Sequence, residues 1–319
     1  MTMHNPQSVI IGSRQSKLAT WQADYVAAQL RTLYPGLNVT IRFFITHGDR
    51  VLDKSLPEIG GKGVFTAELE AALHMGEIDI AVHSLKDLPT ESHPAFVIGA
   101  VPLRASPYDV LISRSGQTLA NLPNGASIGT SSLRRAAQIK AVRPDVHIIS
   151  LRGNVPTRIE KALNAASPYD AIVLAQAGLE RLDMIQNVVE VLSPTVMLPA
   201  PAQGALGIQC CVADSRVRGL LAAFDHAETH AAVDAERAFL AALDSGCRLP
   251  VAALAYIDNN TLHLTGRVAS LNGATVITVE GTTARNPGNG EMLGLQLASQ
   301  ASAQGADQLL DAIRKQVNA

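Results

Sequence analysis

Residues 64–87 read VFTAELEAALHMGEIDIAVHSLKD, a helical pattern that runs through a glycine into a strand and then into a polar loop. The helix covers residues 64–75 and ends at Gly76, because glycine tolerates the left-handed backbone that closes many helices. Residues 78–82 are rich in β-branched side chains and predict a short buried strand. A helix followed at once by such a strand is typical of an open α/β sheet.

The same alternation of strands and helices extends in both directions from this stretch. Before it, we predict strands over residues 9–11 and 39–45, with a helix between them over residues 15–34. Along that helix, one face is predicted to carry Leu18, Trp21, Tyr25, Leu30 and Leu33. After it, we predict strands over residues 109–112, 127–129, 146–150 and 171–175, with helices over 132–142 and from 155. This alternation favours largely parallel sheets with helices on both faces.

The character of the sequence changes after about residue 226. A long helical pattern ends near Leu243, and three strand-like runs follow over residues 251–257, 262–268 and 275–279, separated by turn signals. Two helical patterns, over residues 291–303 and 306–317, complete the chain. We therefore predict a small C-terminal α+β domain with a three-stranded antiparallel sheet.

Two proline-rich stretches, over residues 101–107 and 198–202, separate the α/β segments and predict hinge crossings. The predicted fold is two α/β domains joined by these two crossings, plus the C-terminal domain. The predicted boundaries are 1–102 with 203–224 for the first domain, 107–198 for the second and 227–319 for the third.

Composition excludes several classes of protein. The chain has 319 residues, of which 47% are hydrophobic and 17% charged, so it is globular rather than disordered. Its net charge of −2 gives no global field for nucleic acid. No apolar run approaches the roughly 18 residues of a membrane span, and no secretory signal is recognisable. Its cysteines, Cys210, Cys211 and Cys247, form no disulfide framework, so we expect a cytoplasmic protein. Separately, we expect a monomer.

Asp87 ends the loop that follows the strand over residues 78–82. Ligands of open α/β sheets bind beyond the carboxyl ends of strands, so Asp87 is a candidate for acid-base catalysis or for stabilising a positive charge. The alternative is a turn aspartate that caps a local amide. His83 is interpreted as a packed strand residue, because no histidine or cysteine lies at metal-ligand spacing, and we predict no metal site.

Cys247 follows a long helix and Gly246 and precedes Arg248, so an exposed thiol there would be reactive. The alternative is a buried, inert cysteine, which is the usual state of a free thiol. Cys210 and Cys211 end an apolar strand and are interpreted as structural.

Four arginines lie at two predicted strand-to-helix junctions. Residues 130–135 read TSSLRR, and residues 151–158 read LRGNVPTR, with Asn154 as the predicted N-cap. Free backbone N–H groups at a helix start, together with guanidinium groups, favour an anion. Solvated charge on a helix face is the alternative for any one of these arginines.

Several motifs along nearly the whole chain carry a family resemblance. They are GSRQS at 12–16, GGKG at 60–63, HSLKD at 83–87, GTSSLRR at 129–135, LRGNVPTR at 151–158, PAQGA at 201–205 and GC at 246–247. With these motifs in this order, the chain resembles the hydroxymethylbilane synthase family, also called porphobilinogen deaminase. It departs from the pattern at Glu58 and Ala67, where some members carry lysine.

The resemblance implies an activity and a cofactor. Members condense four porphobilinogen molecules, with loss of ammonia at each addition, and release the linear tetrapyrrole by hydrolysis. The chain grows on a dipyrromethane cofactor, whose thioether bond the resemblance assigns to Cys247. Each pyrrole carries an acetate and a propionate, which explains why the site would need arginines.

The resemblance also assigns roles to individual residues. It makes Asp87 the catalytic carboxylate, able to stabilise the methylene-pyrrole cation that deamination leaves. The cofactor-binding residues that it implies are Cys247, Lys86, Ser84, Ser132, Arg134, Arg135 and Asp87. The substrate-binding residues are Arg14, Arg152, Arg158, Arg181, Gln203, Lys62 and Phe65. The glycine-rich residues 60–63 would form a mobile lid.

Two other hypotheses fit part of the sequence. A non-catalytic anion receptor with two α/β lobes would explain the arginines, but it would have no use for Cys247. A cysteine hydrolase with Cys247 as nucleophile and His83 as base would explain the thiol, but it would not need the arginines.

Overall fold

The computed structural model describes residues 8–46, 66–91, 93–243 and 249–318. The strands are β1 (Ser8–Arg14), β2 (Asn38–Phe44), β3 (Ile80–Ser84), β4 (Phe96–Ala100), β5 (Asp109–Ser113), β6 (Ser127–Gly129), β7 (His147–Ile149), β8 (Ala171–Ala175), β9 (Glu190–Val191), β10 (Leu206–Cys211), β11 (Val251–Asp258), β12 (Thr261–Ala269) and β13 (Val276–Ala284). The helices are α1 (Lys17–Leu33), α2 (Ala67–His74), α3 (Leu133–Val142), α4 (Val155–Leu163), α5 (Gln176–Arg181), α6 (Ser215–Ala222), α7 (Ala227–Ala242), α8 (Asn289–Ala303) and α9 (Ala306–Asn318).

The chain divides into two compact units. The first unit comprises Met1–Arg104 and Ala205–His230, and the second comprises Ala105–Gly204 and Ala231–Ala319. The first unit holds a five-stranded sheet in the order β2-β1-β3-β10-β4. Its first three strands are parallel to each other, and β10 lies antiparallel between β3 and β4.

The second unit holds an α/β sheet of the same design, in the order β7-β6-β8-β5-β9. Three strands are again parallel, and β5 lies antiparallel between β8 and β9. The prediction of largely parallel sheets is confirmed, although each sheet contains one antiparallel strand, β10 in the first unit and β5 in the second. The physical reason is that β5 and β10 begin just after the chain has passed from one unit to the other, so no crossover helix sets their direction.

Helix α1 shows which face of a helix the sheet selects. The structure buries Ala19, Gln22, Ala23, Val26, Ala27 and Leu30. Of the face predicted from sequence, Leu30 is confirmed, but Trp21 and Leu33 are 38% and 41% exposed. Small alanines let the helix approach the sheet closely, while Trp21 stacks on Tyr25 with ring centroids 5.5 Å apart.

The C-terminal residues of the second unit form an antiparallel sheet in the order β11-β12-β13. Its core includes Phe239 of α7, Leu297 of α8 and Leu310 of α9, all almost fully buried. Together with the two five-stranded sheets, this confirms the predicted fold class. The three predicted domain boundaries stay predictions.

Most predicted elements are confirmed with shifts of at most five residues at their ends, as for the helix predicted at 64–75 and observed at Ala67–His74. The sequence prediction missed β4, β9, α5 and α6. None of the helices in the described ranges combines the length and apolar composition needed to cross a bilayer.

Candidate active site

A polar cavity of about 80 Å³ lies at the carboxyl end of β3 in the first unit. It is lined by Arg14, Ser16, Leu18, Ala19, Gln22, Thr66, Val82, His83, Ser84 and Asp87. Strands β1 and β3 run parallel with Gly12 opposite Ala81, so their carboxyl ends lie at the same edge of the sheet. This register explains why Arg14 and Ser84 line one cavity although 70 positions separate them.

Asp87 ends a single 3-10 turn, Leu85–Asp87, that follows β3 directly. Leu85 is fully buried, and its backbone N–H donates to the carbonyl oxygen of Ala205 at 3.0 Å. This anchor fixes the turn, so the carboxyl group of Asp87 is exposed at the cavity. Ser84 is held by Gln22 of α1, whose Nε2 donates to the serine Oγ at 2.8 Å. Lys86, two residues after Ser84, is half-buried.

His83 lies on the opposite face of β3 from Ser84 and is buried. Its Nε2 is 3.1 Å from Oε1 of Gln209 on β10, and Nε2 of Gln209 donates to Oε1 of Glu70 at 2.9 Å. Burial lowers the pKa of His83 against the hydrogen bond to Gln209, the nearby charge of Arg14 adds to the lowering, and the resulting pKa is about 4. His83 is therefore a neutral imidazole at physiological pH, packed in the strand as predicted.

Thr66 precedes α2 and is 2% exposed. Its hydroxyl makes no cap bond to the helix, and the oxygen has no hydrogen-bond partner among the described residues. Buried polar atoms are nearly always satisfied. An unsatisfied hydroxyl that lines a cavity is therefore a candidate contact for a ligand.

The second unit contains the first arginine pair. Ser132 is the N-cap of α3, and its Oγ accepts from the backbone N–H of Arg135. Arg134 donates from Nη1 to Oδ2 of Asp109 and to the carbonyl of Leu198, both at 2.7 Å. Arg135 binds Oδ1 of Asp109 through Nε at 2.9 Å and Nη2 at 2.7 Å. The interpretation of solvated helix-face charge is wrong for this pair, because both side chains are buried.

Gln203, predicted to contact substrate, is fully buried. Its Nε2 donates to the carbonyl of Pro107 at 2.8 Å and to Oδ1 of Asp109 at 3.1 Å. In this structure Gln203 therefore helps to position Asp109, and its contact with substrate stays a prediction.

The second arginine junction is built around α4. Asn154 caps the helix as predicted, with its Oδ1 accepting from the backbone N–H of Thr157 at 3.0 Å. Arg158 donates from Nε to the carbonyl of Gly153 at 2.7 Å. Gly153 has a φ of 122°, which only glycine adopts readily, so this carbonyl can turn toward the guanidinium.

Arg152 differs from the other arginines of the second unit. Its Nη1 is buried and has no hydrogen-bond partner among the described residues. Arg181, by contrast, donates from Nη2 to the carbonyl of Gly204 at 2.7 Å. A buried guanidinium nitrogen without an acceptor is costly, and a ligand carboxylate would satisfy it. This observation fits the carboxylate-rich cofactor that the resemblance implies.

Three predicted site residues, Lys62, Phe65 and Cys247, lie outside the described residues, as does the glycine-rich segment 60–63. Sequence reasoning missed Gln22, Thr66, Asp109 and Gln209. Asp109 carried a local signal, since an aspartate opens a strand that is otherwise apolar. The other three gave none, because their partners lie on distant elements.

Comparison with known proteins supplies the family. The description "Porphobilinogen deaminase, dipyromethane cofactor binding domain" matches residues 9–219, and "Porphobilinogen deaminase, C-terminal domain" matches residues 230–303. A porphobilinogen deaminase of Syntrophotalea carbinolica is 46% identical over 95% of both chains. One of Moorella thermoacetica is 47% identical over 96% of both chains. The solved methionine-binding protein MetQ aligns at 12% identity and a TM-score of 0.44, covering 70% of this chain and 93% of its own.

These matches give the class of protein, which is a cofactor-binding transferase, because the longer matched domain is described as binding the dipyrromethane cofactor. The chain belongs to the porphobilinogen deaminase family.

Proposed function

We propose that this chain is a hydroxymethylbilane synthase that adds four porphobilinogen units in succession to a dipyrromethane attached to Cys247. Each addition releases ammonia, and hydrolysis then releases the linear tetrapyrrole. The observation that carries the proposal is the position of Asp87, exposed at a polar cavity that Arg14 and Ser84 also line.

Asp87 is the catalytic residue in this proposal. Loss of ammonia from porphobilinogen leaves a positive charge on the methylene-pyrrole unit, and a fixed carboxylate next to that charge lowers the barrier. The anchored turn at Leu85 holds the carboxylate in place without water reorganisation. Arg14 binds the acetate or propionate groups of the substrate at the same cavity, which Ser84 of the cofactor-binding set also lines.

The arginines of the second unit compensate the growing number of product carboxylates. Arg152 supports this role most directly, because its buried Nη1 has no acceptor in the part of the chain that is described. Arg158 and Arg181 are each oriented by a backbone carbonyl. Lys62 and Phe65 complete the proposed substrate-binding set.

We propose that the cofactor is held by the residues that the family resemblance implies. They are Cys247, Lys86, Ser84, Asp87, Ser132, Arg134 and Arg135. When bound, dipyrromethane supplies the terminal pyrrole carbon to which the first substrate unit is joined. Both hydrogen bonds that Arg134 makes to the protein come from its Nη1. Within the described residues, the Nε and Nη2 donors of Arg134 have no protein acceptor.

Mass spectrometry of the intact protein tests the tether. We expect the purified enzyme to exceed the mass of the polypeptide by one dipyrromethane, and peptide mapping to place the increment on Cys247. Cys247→Ser should lack the increment and the activity, whereas Cys211→Ser, a thiol away from the cavity, should keep both. Active enzyme with an unmodified Cys247 would exclude the tether, whereas inactive protein with an unmodified Cys247 would favour an anion receptor or a hydrolase.

The domain division, oligomeric state and location are part of the proposal. The three-domain boundaries are supported by separate hydrophobic cores in the two α/β sheets and in the C-terminal sheet. The free thiols of Cys210 and Cys211 support a cytoplasmic protein. Light scattering of the purified enzyme should give the mass of a monomer.

A further inference from the structure

A chain of hydrogen bonds crosses the first unit behind the cavity. It runs from Glu70 on α2 through Gln209 on β10 to His83 on β3. Gln209 and His83 are both buried, and 126 positions separate them in the sequence. A buried polar chain of this kind fixes the orientation of each side chain in it.

The direction of this chain determines the tautomer of His83. Gln209 donates its amide N–H to the carboxyl oxygen of Glu70, so its own oxygen faces the imidazole. An amide oxygen only accepts hydrogen bonds, so the proton of the ring is on Nε2. In a neutral imidazole with Nε2–H, the other nitrogen, Nδ1, is an acceptor.

The surroundings keep the ring neutral. Burial disfavours the imidazolium ion, and the positive charge of Arg14 disfavours it further. A neutral ring retains the lone pair on Nδ1, which protonation would remove.

His83 and Thr66 line the same cavity as Asp87. The threonine hydroxyl is buried and has no partner among the described residues, which points to a polar ligand on this wall. Two neutral acceptors in a cavity that the Asp87 carboxylate also lines suit a cationic N–H donor, because that carboxylate opposes the positive charge of Arg14. Porphobilinogen has such a group, since its aminomethyl nitrogen is protonated at neutral pH.

We propose that Nδ1 of His83 and Oγ1 of Thr66 bind the aminomethyl ammonium group of the incoming porphobilinogen, with Glu70 and Gln209 positioning the imidazole. This inference rests on the proposed function. In this proposal His83 both packs in the strand and binds substrate. Glu70 and Gln209 are positioning residues.

A matched pair of substitutions tests the role of each ring nitrogen. In His83→Asn, an amide oxygen replaces Nδ1 as the acceptor, but the hydrogen bond to Gln209 is lost. In His83→Gln, an amide N–H still donates to Gln209, but the Nδ1 acceptor is lost. We expect His83→Gln to lower kcat/KM about 10-fold or more, mainly through KM, because a hydrogen bond to a charged group is lost. His83→Asn should lower it less. The reverse order, or a normal kcat/KM for His83→Gln, would overturn the proposal.

Thr66 provides a second comparison that leaves the imidazole unchanged. Thr66→Val removes the hydroxyl and keeps the shape, and we expect a higher KM with an unchanged or higher melting temperature, because no protein bond is lost. Thr66→Ser should restore the KM. An unchanged KM for Thr66→Val would remove Thr66 from the site.

Nitrogen NMR of the wild-type holoenzyme, with ¹⁵N-labelled histidine, tests the tautomer without substrate or turnover. We expect His83 at neutral pH to show a protonated Nε2 and an unprotonated Nδ1. A charged ring or the opposite tautomer would refute the inference. This measurement remains decisive even if the substituted proteins are unstable. If wild-type enzyme forms no hydroxymethylbilane, the proposed function fails. If it does and His83→Gln is normal, only the present inference fails.

Discussion

Nη1 of Arg134 lies 2.7 Å from Oδ2 of Asp109, and the two side chains are 5% and 0% exposed. Arg135 binds the other carboxylate oxygen, so one buried aspartate is shared by two guanidinium groups. Burial alone would raise the pKa of the Asp109 carboxyl, but the two positive charges outweigh it and hold that pKa well below its usual range. The arginine pair is therefore part of the core of the second unit before any ligand binds.

Asp109→Asn should destabilise the protein strongly, because two buried cations would lose their compensating charge. We expect the free energy of unfolding to fall by about 3–5 kcal/mol, measured by urea denaturation. Asp311→Asn is the matched control, since it removes a carboxylate from an exposed pair with Arg314 and should change stability little. Equal effects of the two substitutions would show that the buried pair contributes no more than an exposed one.

Asp87→Asn should abolish most turnover while the fold and the bound cofactor persist. The side chain is exposed and Leu85 anchors the turn, so the substitution changes charge and little else. We expect kcat to fall by roughly 100-fold or more, because the lost interaction acts on charge that develops in the transition state. Steady-state kinetics on protein of verified cofactor content measures this. A near-normal kcat would remove Asp87 from its catalytic role.

Arg152→Met should weaken substrate binding without lowering stability. Its Nη1 has no acceptor among the described residues, so the folded protein loses no bond there. We expect KM to rise roughly 10-fold or more, the effect of losing a charge-assisted hydrogen bond. Arg143→Met is the opposite control, because Arg143 binds Asp145 and the carbonyls of Leu119 and Pro123 and should affect stability rather than KM.

His83 should make the protein less stable in mild acid. Its pKa is lowered from 6.5 to about 4 in the folded state, so the unfolded chain takes up a proton at higher pH than the folded one. Stability therefore falls as the pH falls from 6.5 to 4, by on the order of 3 kcal/mol in total, and the loss is complete below pH 4. Urea denaturation at pH 7 and pH 4.5 should show a smaller difference for His83→Gln than for wild type. An identical pH dependence would contradict a neutral, buried His83.

Local sequence signals determined most of the secondary structure of this chain. Asn154 caps the helix that it was predicted to cap, because a cap bond joins residues only three positions apart. The candidate Asp87 was also found from sequence, since the end of a strand is a local feature and strand ends carry ligands in α/β sheets. The family resemblance came from short motifs of the same kind.

The tertiary structure alone decided the partners of the buried polar groups. Gln203 and Asp109 are 94 positions apart, and Gln209 and Glu70 are 139 apart. Neither hydrophobic periodicity nor helix-capping rules can predict such pairings, because the pairings depend on which strands and helices lie side by side in the fold. The antiparallel insertion of β10 beside β3 places Gln209 against His83. The sequence by itself thus determined most of the helices and strands and the family, whereas the long-range folding of the chain decided which charges are buried and which remain for a ligand.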